Sequence, residues 1–131
     1  AAWFGVDAVL ADADSADFEG PKSVRASMGG LWDVHLSRTD DLSAALDALL
    51  ARGLSLWGAR AASGDSAPLA EWAPGAQSVL VMGSEAHGLS EASRQRLTGG
   101  VWIPGGDERR GVESLNVSVA AGILMHAWTS A

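Results

Sequence analysis

The sequence predicts an α/β fold: a mainly parallel sheet with helices on both faces. Three observations carry that expectation. Short β-type runs alternate with helical segments along the whole chain, the order that builds parallel sheets covered by helices. Two late apolar runs, Ser78–Met82 and Val101–Ile103, break at Gly83 and Pro104 into polar or glycine-rich turns. The closing stretch, Ser114–Trp128, reads as a long helix apolar on nearly every side. Two strand ends and one helix start can therefore converge on one crevice, the place where open α/β sheets bind ligands.

The elements follow in order. Ala1–Gly5 reads as the end of a helix with Gly5 as its cap, so the chain is expected to begin inside an element. Val6–Leu10 is β-type, and 11–20 is an acidic loop. Pro21 suits the first turn of a helix that runs to Met28 and stops at Gly29-Gly30. Leu31–Leu36 reads as a strand, with Trp32, Val34 and Leu36 on one face and Asp33 and His35 on the other. Asp40 or Asp41 caps a helix with Leu42, Leu46, Leu49 and Leu50 on its apolar stripe, ended by Gly53. Leu54–Ala59 is a strand. Residues 61–75 form a loop of small residues with one turn near Leu69–Trp72, and Ser90–Leu97 is helical. Gly99-Gly100 reads as a stop, like Gly29-Gly30. No internal repeat, linker or low-complexity tract interrupts the pattern.

The totals set bounds. A chain of 131 residues, 47% apolar and with six tryptophans, has the makings of one packed domain rather than a disordered segment. There is no cysteine, hence no disulfide framework and no thiolate metal site. No apolar run is long enough to cross a bilayer and no secretory leader pattern is present, so the expected compartment is the cytoplasm. The net charge of −7 argues against a general nucleic-acid binder, which carries a basic footprint.

Few residues can carry chemistry. Gly83 serves either a tight turn needing positive φ or close approach of a ligand to the main chain. Glu85, beside it at the ligand end of the sheet, is a candidate for orienting another polar group. Ser114 is placed to cap the last helix. Asn116 is harder to explain as structure, because Asn is a poor interior helix residue; beside free helix N–H groups it suits a polar ligand. His35, His87 and His126 lack metal-ligand spacing, and no metal is expected. The run 107–110, Asp-Glu-Arg-Arg, is a solvated loop tip from which Arg109 or Arg110 could reach a phosphate. Dinucleotide, Walker and nucleophile-elbow patterns are missing.

Val79–Ser90 (VLVMGSEAHGLS), Ile103-Pro104 and Ser114–Leu124 (SLNVSVAAGIL) together resemble the SpoU-type RNA ribose 2′-O-methyltransferases of the SPOUT class. FGVDAVLAD and KSVRASMGG upstream look like the same family's catalytic domain, so the resemblance covers essentially all of residues 1–131. It implies a deep trefoil knot at the C-terminal end of the sheet, a homodimer, and S-adenosylmethionine held by main-chain groups. Carried over, the cofactor-binding positions are Ala59, Met82, Gly83, Ile103 and Leu115; the polar positions near the transferred methyl are Glu85, Ser114 and Asn116. The implied substrate is rRNA or tRNA. The family's Asn and catalytic Arg motif lies just before the stretch that opens this sequence, so the segment is expected to lack the N-terminal part of its domain and, alone, to be inactive in transfer. The RNA grip is expected from an extra N-terminal domain, which reconciles the acidic charge. Two departures stand out: the loop 105–111 is longer than the family's, and Gly105 occupies a position where Met is common. The alternatives are a non-catalytic knotted module for dimerisation or cofactor binding, and an unrelated Rossmann-like nucleotide enzyme.

Overall fold

Pro21 begins a short helix and Gly53 closes a longer one, and between them lies the point at which the chain divides. The computed structural model describes residues 1–106 and 114–130, in two units, Ala1–Ala45 and Leu46–Ala131.

In the first unit, β1 (Ala8–Asp12) and β2 (His35–Thr39) pair in parallel, Ala8 opposite His35 through Asp12 opposite Thr39. Helix α1 (Pro21–Ala26) connects them, starting at its proline. The strand expected at Leu31–Leu36 is displaced: Gly30–Asp33 is a 3-10 turn and β2 begins only at His35. Alternation over 31–36 mimicked a strand because Trp32 is in fact exposed, and Gly29 at φ 91° sets the chain into a turn. Arg38 on β2 gathers the acidic loop, with its guanidinium 3.6 Å from Asp17 Oδ1 and over the Phe18 ring at 4.6 Å.

Helix α2 (Leu42–Ala51) starts in the first unit and runs into the second. Asp41 is its cap, accepting from Ala44 N at 2.9 Å. Its far end is a Schellman motif: Leu54 N donates to Leu49 O and Gly53 N to Leu50 O.

The second unit holds a four-stranded parallel sheet in the order β4-β6-β3-β5, formed by β3 (Ser55–Ala59), β4 (Ser66–Pro68), β5 (Ser78–Val81) and β6 (Gly99–Trp102). Every strand ladder among the described residues is parallel. The strands divide into two sheets rather than the single one expected, because periodicity marks strands but not the edges that pair. Strand β4 falls where a loop was expected; three residues of Ser, Ala and Pro carry no periodic signal. Gly99 and Gly100 open β6 instead of stopping a helix. A side chain at Gly99 would meet the Trp57 ring at 2.7 Å.

Helices α3 (Glu91–Arg94) and α4 (Val117–Ser130) complete the unit. Ser90 caps α3 through Ser93 N at 3.1 Å. Apolar α4 buries Leu124 against Trp72 and Val101, with Trp57, Leu80 and Trp128 packed around them. Trp128 Nε1 donates to Ser78 Oγ at 2.9 Å, tying the end of α4 to the start of β5.

Candidate functional site

The turn after β5 is closed on itself. Ser84 N donates to Gly88 O at 3.1 Å, Gly88 N returns to Ser84 O at 2.8 Å, and Ser84 Oγ accepts from His87 N at 3.1 Å. The positive-φ reading of Gly83 needs correction. Its φ is not positive, and the space a Cβ would take is filled by the backbone of Gly88 and Leu89. Glycine is required there because the turn folds back onto its own root.

From this turn Glu85 reaches the start of α4. Its Oε1 accepts from Asn116 Nδ2 at 2.6 Å and from Val117 N at 3.1 Å. The carboxylate therefore satisfies an end-of-helix N–H and faces the positive end of the helix dipole. Asn116 in turn accepts from Ser118 N at 3.0 Å, which makes Asn116 the cap of α4. Ser114 is not that cap. It lies two residues earlier, exposed, because α4 begins at Val117 and Asn caps as well as Ser does.

Ala59, Met82 and Ile103 come together differently, all packed on the Trp72, Val101 and Leu124 cluster. The β3–β5 ladder ends at Gly58 and Val81, so the main chain of Ala59 and Met82 extends beyond it. Ile103 follows the last residue of β6. Leu115, 46% exposed, adjoins Asn116 rather than the core.

Two residues were missed in the sequence. Arg60, next after Ala59, pairs its Nη2 with Asp65 Oδ1. That contact, helped by the Ser63 hydroxyl, lowers the Asp65 pKa to about 2. A basic residue at a strand's end followed by a Ser-x-Asp-Ser turn was the available signal. Elsewhere Arg96 holds Asp47 below the usual carboxylate range, chiefly by hydrogen bonding. His35, His87 and His126 are exposed, and among the described residues no cluster of His, Asp or Glu could hold a metal. Asp107–Arg110 and most of the longer loop lie outside the described residues.

Parallel strands with polar groups past their carboxyl ends define an α/β protein of the kind in which ligands bind beyond the strand ends. The particular family follows from comparison. The SpoU rRNA Methylase family model matches residues 1–126, and the chain belongs to that family. It is 30% identical over 122 residues to the 23S rRNA (guanosine(2553)-2′-O)-methyltransferase RlmP of Bacillus subtilis, covering 93% of this chain and 47% of that protein. Its fold matches a TrmH-family protein of Porphyromonas gingivalis at TM-score 0.83 and 34% identity, over 96% of this chain and 49% of the other. It also matches the SpoU methyltransferase AviRb of Streptomyces viridochromogenes in complex with AdoMet, at TM-score 0.82 and 29% identity, over 96% and 50%. The chain thus spans about half the length of these relatives.

Proposed function

We propose that this chain is the catalytic segment of an S-adenosylmethionine-dependent RNA ribose 2′-O-methyltransferase acting on rRNA or tRNA in the cytoplasm, as a homodimer with a knotted C-terminal segment. The observation that carries the reading is the joining of Glu85 to Asn116 and Val117 N, beside strand ends whose main chain runs past its ladder. Insertion of β6 between β3 and β4, two strands earlier in the sequence, supports a threaded C-terminus.

The residues fit the cofactor. Backbone groups at Met82 and Ile103, past the last paired residues of their strands, and at Ala59 beyond the end of the β3–β5 ladder are the donors and acceptors a bound nucleoside takes. Together with Gly83 and Leu115 they would hold it. When bound, S-adenosylmethionine supplies an electrophilic methyl on a sulfonium.

The chain's own residues contribute alignment. A ribose 2′-hydroxyl is a very weak acid, so its attack depends on fixed geometry and help with its proton. Glu85 and Asn116 lock each other's rotamers, leaving Glu85 Oε2 and the Ser114 hydroxyl on the polar side as groups to orient the ribose.

Calorimetry with S-adenosylmethionine tests the cradle, and the folded chain is expected to bind. Absence of binding overturns the cofactor reading. Methyl-labelled cofactor and rRNA or tRNA, digested to nucleosides, test the chemistry. Label on 2′-O-methylnucleosides supports the assignment, and label on bases overturns it.

A further inference from the structure

The link between β3 and β4, residues 60–65, spans β6, which pairs with both strands. It is fastened at three points. Arg60 N donates to Val101 O at 3.0 Å, Gly100 N donates to Asp65 O at 3.1 Å, and Arg60 Nη2 meets Asp65 Oδ1. The Arg60 side chain, only 22% exposed, lies across β6 at Gly100, where a Cβ would come within 2.9 Å of its Cζ. Ser63 Oγ braces Asp65 Oδ1 at 2.9 Å. Ala59, a cradle residue, is the residue before Arg60.

We infer that Arg60 and Asp65 form a clasp that positions the Ala59 main chain for cofactor binding, a positioning pair that tunes affinity and touches neither substrate nor the reacting atoms. The inference rests on the cofactor reading above. Both ends of the link bond to β6 through the backbone, so opening the ion pair leaves the sheet paired but lets the Ala59–Arg60 peptide, which carries the Ala59 carbonyl, tilt about the single Arg60 N to Val101 O bond. Asp65 is exposed, which makes the clasp sensitive to salt.

The test is calorimetric titration of the 131-residue chain with S-adenosylhomocysteine at low and high salt, for the unchanged protein, Asp65→Asn, Arg60→Met and Arg60→Lys. The two neutral variants are expected to bind about three- to fivefold more weakly, the size an exposed charge pair carries. Salt should weaken the unchanged protein and not the neutral variants. Arg60→Lys should recover part of the affinity. Urea midpoints without ligand check that each variant is folded. If the unchanged protein binds and the neutral variants bind equally well with the same salt dependence, the clasp is overturned while the cofactor reading stands. If the unchanged protein does not bind, both fall.

Discussion

Asn116 donates its side-chain amide to Glu85 Oε1 at 2.6 Å, so residues far apart in the chain share one bond at the start of α4. The same oxygen takes Val117 N, and the Asn116 carbonyl oxygen takes Ser118 N. Each residue therefore bonds both to the other and to a backbone N–H in the first turn of the helix.

Glu85→Ala is expected to destabilise the chain by about 1 kcal/mol and Asn116→Ala by a similar amount, typical of lost caps. The double variant should cost less than the sum, because the two groups bond to each other. Urea unfolding of the three variants measures this, and strict additivity would show that the contact carries no energy.

Gly83→Ala should be the most damaging small substitution in the unit. The added methyl meets the Gly88–Leu89 backbone, which cannot yield as a side chain would. A loss of about 2 kcal/mol or more is expected, the range of overpacked sites. A melting temperature equal to that of the unchanged protein would mean that the turn opens freely.

Leu124→Ala removes a side chain only 1% exposed at the centre of the α4 core. Between about 2 and 5 kcal/mol should be lost, the cost of a cavity at a buried leucine. Denaturant unfolding checks it. A cost below 1 kcal/mol would mean that Trp72 and Val101 collapse into the space.

Asp65 sets a pH dependence. Its folded-state pKa is lowered from 3.8 to about 2 by Arg60 and Ser63. The linked stability is thus fully present above pH 4 and is lost as pH falls from about 4 towards 2. Asp47, lowered by Arg96, adds in the same direction. Urea midpoints between pH 2 and 5 should fall more steeply for the unchanged protein than for Asp65→Asn; parallel curves would refute the assignment to Asp65.

Much of the second unit was legible in the sequence because its elements are strongly patterned. The runs at Leu54–Ala59 and Ser78–Met82 and the helix with Leu46 at its centre lie close to β3, β5 and α2. Elements set by tertiary pairing left no local trace: β4 exists because β6 offers it an edge, and Gly99 and Gly100 are strand residues because Trp57 and Arg60 occupy their side-chain space. The cap of α4 was misplaced by two residues, since Ser114 and Asn116 both have capping side chains and the Glu85 contact marks out the second. From the sequence Glu85 orients an unspecified polar group and is not joined to Asn116, and the Arg60–Asp65 pair went unseen, because both contacts depend on loop folding that leaves no periodic pattern.

The order β4-β6-β3 also bears on how the chain is made. During synthesis β3 and β4 leave the ribosome well before the strand that joins them, so each keeps an open edge until Trp102 has emerged. An unpaired edge is a template for other chains, and pairing distant in sequence is slow. The nascent protein should accordingly depend on chaperones until β6 is released, then close this sheet in a single late step.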